Sequence, residues 1–373
     1  MEPFKNLMSE EVVDLIGLHL GKSLNGFDRK AFVASIVPLL EELELKQRVQ
    51  LISEKMLSVL PTNTEERNAI LVGMLHPDTL TSASETSSED GMCGWGVWPL
   101  TDVIGRSGLT AFDHSMEALR EITMRGTSEF DVRPLIAADP DRALNIMLGW
   151  AKDDNEHVRR LATEGSRSRL PWGMRLHALV ADPTKTLPIL EVLRDDPSEY
   201  VRRSVANHLN DIAKDHPDFV ASIARNWMTH ASKDREKLIR HACRSLIKQG
   251  HSATLAVFGV FPPAIGMPLI EINPRKVVLG GTLTFDVTFS STSAKPQKLI
   301  IDYVIHHRKA NGTLAPKVFK WKQLTLSPNE TLKETRRHPM RPITTRTYYP
   351  GGHAVSLRIN GQDFGHAQFE LEM

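Results

Sequence analysis

The chain has 373 residues, 41% of them hydrophobic and 24% charged, with a formal net charge of +1. At roughly 150 residues per core this is material for about two domains, and the balanced charge excludes a polycation, so nucleic-acid binding would require a local basic surface. Two cysteines, Cys93 and Cys243, stand far apart without CxxC spacing, which excludes a disulfide framework and a cysteine zinc site and suits a reducing, cytoplasmic setting.

The N-terminal stretch is interrupted by Lys5, Glu10, Glu11 and Asp14, and no run approaches the ~18 apolar residues of a membrane span. No signal peptide and no membrane partner are expected. From 9 to about 75 the apolar residues Val12, Val13, Leu15, Ile16 and then Phe32, Ile36, Leu39, Leu40 and Leu43 fall at helical spacing, with a helix start at Ser9. From 79 to 108 small and polar residues give way to Gly and Pro, the text of a long loop, and loops of that length in a compact domain are often functional. Helical text resumes at 109, with helices predicted over 112–124, 132–137, 142–151, 157–166, 172–180, 186–193, 200–213, 218–230 and 237–249.

Within this stretch the chain repeats itself. IMLGWAKDDNEHVRR at 146–160 returns as ILEVLRDDPSEYVRR at 189–203, 43 residues later. A period of about 40 to 47 residues with two helices per unit is the pattern of HEAT or armadillo-type solenoids. In the helix over 157–166, Val158, Leu161 and Ala162 form the inner stripe, while Glu156, Arg160 and Glu164 follow one another along a neighbouring face. Such pairs are commonly solvated salt bridges, and the repeated arginines suit contacts with the Asp turns at Asp153 and Asp196. The two copies nevertheless differ: Glu164 aligns with Asn207, and only the first copy continues into Arg167-Ser-Arg-Leu-Pro-Trp172. Glu117 and Glu121 stand on the helix over 112–124 beside Arg120 and Arg125. His306 and His307 are neighbours in a strand and point to opposite faces, so they do not chelate one metal easily; no HExxH, P-loop or nucleophile elbow is present.

At Phe261 a proline-rich linker runs to Pro268, followed by short alternating runs at 277–278, 283–289, 299–308, 318–326, 332–338, 353–359 and 366–371, with hairpin signals at Asn311-Gly312 and Asn360-Gly361. About seven strands in about 105 residues predict an immunoglobulin-like sandwich. From 295 to 346 twelve Lys and Arg, among them Lys320, Arg336 and Arg337, face only Asp302, Glu330 and Glu334, a clustering suited to phosphate contacts. The expected organisation is therefore an N-terminal all-α HEAT-like solenoid over 1–261 and a C-terminal all-β immunoglobulin-like sandwich over 268–373.

The run WAKDDNEHVRRLATEGSRSRLPW at 150–172, with YVRRSVANHLND at 200–211 and TSEFDVRP at 127–134, closely resembles the AlkC branch of the AlkC/AlkD DNA glycosylases over about residues 1–260. Some members of that branch carry an immunoglobulin-like C-terminal domain. The resemblance implies a solenoid that holds alkylated double-stranded DNA on its concave face and hydrolyses the N-glycosidic bond of cationic N3-alkylated bases, 3-methyladenine and 3-methylcytosine, with the lesion left largely in the stack. No lysine stands in the motif as an obvious Schiff-base nucleophile, so a monofunctional enzyme acting by hydrolysis is expected, as a monomer without cofactor or metal. A carboxylate near C1′ would stabilise the oxocarbenium-like sugar, with Glu121, Glu156 and Glu164 as candidates, and Trp172 would add a cation–π contact. Arg159, Arg160, Arg169, Arg202 and Arg203 would hold phosphates, joined by Lys320, Arg336 and Arg337 of the β domain. The competing expectation is a HEAT scaffold that binds DNA or protein without catalysis, since fold alone does not decide function.

Overall fold

Residues 3–78, 86–344 and 346–373 are described by the computed structural model; part of the loop predicted over 79–108 lies outside them. The helices are α1 Glu10–Ser23, α2 Arg29–Ala34, α3 Leu45–Leu57, α4 Thr64–Gly73, α5 Trp98–Ser107, α6 Phe112–Thr123, α7 Arg133–Ala138, α8 Pro140–Trp150, α9 Glu156–Glu164, α10 His177–Ala181, α11 Leu187–Leu193, α12 Glu199–Ile212, α13 Pro217–Met228, α14 Lys233–Ala242, α15 Arg244–Gln249 and α16 Ser252–Val257. The strands are β1 Leu269–Ile272, β2 Lys276–Val278, β3 Thr282–Ser290, β4 Gln297–Arg308, β5 Leu314–Leu326, β6 Thr331–Pro339, β7 Gly351–Ile359 and β8 Gln362–Glu372. The chain is thus helical first and β-structured second, as the fold class expected. None of the described helices is long and apolar enough to cross a membrane.

The chain divides into two compact units: residues 1–216 with 231–242, and residues 217–230 with 243–373. In the first, α4, α6, α9, α12 and α14 pack one on the next. Val158, Leu161 and Ala162 of α9 are buried, as their spacing predicts, and Asn155 caps the helix by accepting from the His157 N–H at 2.8 Å, a contact worth about 1 kcal/mol. A ladder of ion pairs runs across the turns: Arg120 to Asp153 at 2.5 Å, Arg159 to Asp196 at 2.7 Å and Arg202 to Asp234 at 3.3 Å. Arg120 and Arg159 bridge to the turn before the next helix of the stack and Arg202 to the first turn of α14, so the repeated Val-Arg element is part of the stacking.

Three predicted elements differ. The segment read as loop contains a 3-10 turn at Gly94–Val97 and all of α5. Its Pro99 sits in the first helical turn, where the missing N–H costs nothing. The helix predicted over 172–180 is reduced to α10, because Trp172 adopts φ +66°. The one predicted over 237–249 overlaps both α14 and α15, which are separate helices.

In the second unit, β1, β3 and β6 form one sheet and β2, β8, β7, β4 and β5 the other, in those orders. β1 is additional to the seven predicted runs. Leu283, Phe285, Val287 and Phe289 alternate inward from β3 and meet Tyr303, Leu357 and Phe369 in one core. Both hairpin signals fall where expected. Asn360 and Gly361 take φ +48° and +83° between β7 and β8, the left-handed pair that a two-residue turn of matching twist requires. Helices α13, α15 and α16 belong to this unit rather than to the stack. At the end of α15, Gly250 lies back to back with Gly361: a Cβ on Gly250 would fall 2.2 Å from the Gly361 Cα, and one on Gly361 would fall 2.4 Å from the Gly250 carbonyl oxygen. The Asn360 amide reinforces the seam, donating to the Phe261 carbonyl at 2.7 Å and the Lys298 carbonyl at 3.0 Å.

Candidate active site

A cleft of about 280 Å³ opens in the first unit where the end of α6, residues 124–130, the turn at Gly94–Val97 and the N-terminal parts of α9 and α12 converge. One wall is aromatic. Trp98 stacks on Phe130 at 4.9 Å between centroids, and Trp95 tilts against Trp98 at 5.9 Å. In the same lining Tyr200 and His157 meet edge to face at 5.6 Å, and the Arg160 guanidinium stands over the Tyr200 ring at 5.0 Å. Burial lowers the His157 pKa below its ordinary value, which keeps the ring neutral near pH 7.

Among the described residues that line the cleft, the carboxylate is Glu129. The Thr127 hydroxyl donates to it at 2.8 Å and Arg160 Nη2 at 2.7 Å. Burial works against the Arg160 cation, but the charges of Glu129 and Glu164 outweigh it and raise the pKa above the ordinary guanidinium value. Arg160 also stands 3.7 Å from Glu164, which lies behind the cleft with both oxygens engaged, Oε1 by Arg167 and Oε2 by the Ser204 hydroxyl, each at 2.5 Å. Burial would push the Glu164 carboxyl up; Arg160, Arg167 and the Ser204 bond together hold it below the usual carboxylate range. Arg167 continues to Asp211 at 2.7 Å. From Glu129 to Asp211 the charges therefore alternate and leave one net negative charge along the chain.

The sequence-predicted carboxylates are thus separated. Glu164 supports the cleft from behind. Glu121 lies on α6, engaged by Arg120 at 2.9 Å and Arg125 at 3.6 Å. Glu156 is exposed in the first turn of α9 and accepts from the Ser198 hydroxyl. Glu129 escaped helical periodicity because it sits between helices; its only signal was its place in the TSEFDVRP string. Trp172 does not join the cleft either: its residue is 54% exposed, edge-on to Phe4 at 6.2 Å, with its carbonyl accepting from Lys46. The reason is the wholly buried Arg133, which donates to the Gly165 carbonyl at 2.7 Å and the Met174 carbonyl at 2.8 Å and so fixes the loop between them. The indoles of the cleft are Trp95 and Trp98.

The predicted phosphate ligands also part company. Arg159 and Arg202 are consumed by the turn ladder, each also donating to two turn carbonyls. Arg160 belongs to the cleft. Arg169 is held bidentate by Asp215, both bonds 2.6 Å. Arg203 is exposed, with Glu199 at 3.0 Å, and borders a groove of about 200 Å³ with Lys237 and His241. In the second unit Lys320 lines a cavity of about 220 Å³ with Lys322 and Trp321. Neighbours in β6 point oppositely: Arg336 lies over the buried Tyr303 ring at 5.3 Å, whereas Arg337 is exposed.

Residues 127–246 match the family model described as DNA alkylation repair enzyme, and residues 267–373 the one described as the C-terminal Ig-like domain of uncharacterised protein YhaZ. The chain is 36% identical over 376 residues to the uncharacterised protein YhaZ of Bacillus subtilis strain 168, covering 100% of both. Among solved structures it is similar to the Pseudomonas fluorescens alkylpurine DNA glycosylase AlkC bound to DNA containing an abasic site analogue, with 36% identity, a TM-score of 0.80 and 100% of each chain covered. With that identity over the full length, and with the helical and Ig-like parts in the same order, the chain belongs to the AlkC branch of the AlkC/AlkD alkylbase DNA glycosylase family.

Proposed function

We propose that this protein is a monofunctional DNA glycosylase that hydrolyses the N-glycosidic bond of cationic N3-alkylated bases, 3-methyladenine and 3-methylcytosine, in duplex DNA, with the lesion left largely in the stack. Family membership supports the alkylation-repair glycosylase activity. The observation that carries the finer reading is the cleft itself, in which one anchored carboxylate, Glu129, shares the lining with Trp95, Trp98 and Phe130.

An N3-alkylated base carries positive charge, and the bonding pair that leaves with it makes it neutral, so no general acid is required. The demand falls on the sugar, whose C1′ becomes oxocarbenium-like as the bond breaks. Glu129 supplies negative charge there and orients the water that adds its hydroxyl to C1′; the water's proton passes to Glu129 and on to solvent. A preorganised group of this kind is worth on the order of 3 kcal/mol, about a hundredfold in rate. The indoles favour the cationic base over a neutral one by roughly 0.5 to 2 kcal/mol. No lysine lines the cleft among the described residues, which supports hydrolysis over a Schiff-base route. The sandwich, through Lys320 and Arg337, serves as a second DNA-contacting domain.

Single-turnover incubation with methylated duplex DNA tests the reading: free 3-methyladenine and 3-methylcytosine are expected products. DNA binding without release of either base would favour the non-catalytic scaffold.

A further inference from the structure

Directly behind the aromatic wall lies a carboxyl group that the mechanism above does not use. Asp131 follows Phe130 in the chain, is 7% exposed, and packs on α5 so closely that a Cβ on Gly105 would fall 3.0 Å from its carbonyl oxygen. Its Oδ2 is 2.5 Å from the hydroxyl of the fully buried Thr101, and the same hydroxyl is 2.9 Å from the carbonyl oxygen of Trp98. A threonine hydroxyl has one hydrogen to donate and two lone pairs to accept with. If that hydrogen is given to the Trp98 carbonyl, the bond to Asp131 must be donated from the other side, by a protonated carboxyl.

The charged surroundings agree. Asp102 and Arg106 of α5 and Lys46 of α3 act on the site, and Asp102 is itself engaged by Arg106 at 2.6 Å and by the Ser53 hydroxyl. Burial, helped by Asp102, outweighs the Thr101 hydroxyl, Arg106 and Lys46, which all favour the ionised form, and raises the Asp131 pKa to about 8. An unpaired buried carboxylate is costly, and a group so placed keeps its proton instead.

We propose that Asp131 is a positioning residue that works as a neutral acid, donating through Thr101 to the Trp98 backbone and thereby fixing the indole wall of the cleft. This rests on the glycosylase reading for its effect on rate, but not for its effect on the protein alone. Ionisation of Asp131 reverses the Thr101 hydroxyl, withdraws its bond from Trp98 and places a charge behind the wall.

The test is a comparison of the wild type with Asp131→Asn, whose amide donates to Thr101 as the neutral acid does. Single-turnover base release from methylated duplex DNA is measured from pH 6 to 10, and thermal midpoints of the DNA-free proteins over the same range and down to pH 4. The wild type is expected to lose about fivefold in rate between pH 8 and 9 and about tenfold more by pH 10, since the neutral form falls from about half to about a tenth and then to about a hundredth, while Asp131→Asn matches it at pH 7 and shows no such decline. Because the folded pKa lies above the ordinary carboxylate value, the wild type loses stability as pH rises from that value through about 8, and the gap in midpoint to Asp131→Asn widens across this window. In the wild type alone, infrared spectroscopy is expected to show a carboxylic-acid carbonyl band that survives at pH 7 and disappears near pH 8. Parallel midpoints, the same alkaline decline in both proteins or loss of that band below pH 6 would overturn the proposal. Diverging midpoints with no base release at any pH would leave Asp131 as assigned and overturn the glycosylase reading.

Discussion

Arg160 holds Glu129 by one oxygen: its Nη2 stands 2.7 Å from Glu129 Oε2, the same oxygen to which the Thr127 hydroxyl donates at 2.8 Å. The same guanidinium is shared with Glu164 at 3.7 Å and stands over the Tyr200 ring, 5.0 Å from its centroid.

Glu129→Gln keeps the shape and removes the charge. Base release is expected to fall about a hundredfold with DNA affinity within a few fold of wild type. Glu121→Gln and Glu156→Gln are expected to stay within about threefold of wild type, since neither reaches the cleft. Single-turnover kinetics on one methylated duplex compares the three, and a wild-type rate for Glu129→Gln would remove that carboxylate from the mechanism.

Glu164→Gln acts first on stability. It leaves Arg167 and Arg160 short of a buried partner, at a cost of about 3 kcal/mol, to be read from urea unfolding at pH 7. The sign with pH follows from the depressed carboxyl. Its stabilisation is present above the ordinary carboxylate range and is lost as pH falls through the lower folded value. Wild type and Glu164→Gln are therefore expected to converge in stability toward low pH.

Arg159 and Arg203 are consecutive-repeat arginines with opposite duties. Arg159→Ala breaks the Asp196 pair and two turn contacts, so a loss of about 2 kcal/mol in stability is expected with little change in the salt dependence of DNA binding. Arg203→Ala is expected to leave unfolding unchanged and to lower the salt slope by about one. Equal salt slopes for Arg203→Ala and wild type would remove it from the DNA surface.

Trp95→Ala is expected to slow release of cationic bases about tenfold by taking one indole from the wall, whereas Trp172→Ala leaves the rate within about twofold. The discriminating measurement is the rate ratio between a cationic and a neutral alkylated base, which only the Trp95 change should reduce.

Much of the fold was legible because burial imposes periodicity. The stripe of Val158, Leu161 and Ala162 and the alternation from Leu283 to Phe289 could be read directly, and Asn360-Gly361 marked its turn through a backbone requirement. The α5 helix was hidden because Pro99 and the glycines around it carry loop-like grammar wherever they stand. The site was less legible for a different reason. Its carboxylate and one of its indoles come from between the α-helices, at Glu129 and Trp95, where no periodicity applies, and the other, Trp98, heads the hidden α5, while Glu164 and Trp172, irregular members of a repeat, serve a buried ion-pair chain and an exposed loop. Arg159 and Arg160 are adjacent letters, yet one closes a turn and the other holds the carboxylate; only the direction of each side chain tells them apart.

The seam between Gly250 and Gly361 has a practical corollary for anyone dividing the protein. The proline-rich stretch looks like a hinge at which to sever it, but the sandwich's last hairpin rests on the left-handed glycine that ends α15, eleven positions upstream of Phe261. A sandwich begun at 268 would carry a bare turn in place of a covered one. A fragment that also retains residues 243–267 restores that cover, and is the better starting point for an isolated β domain.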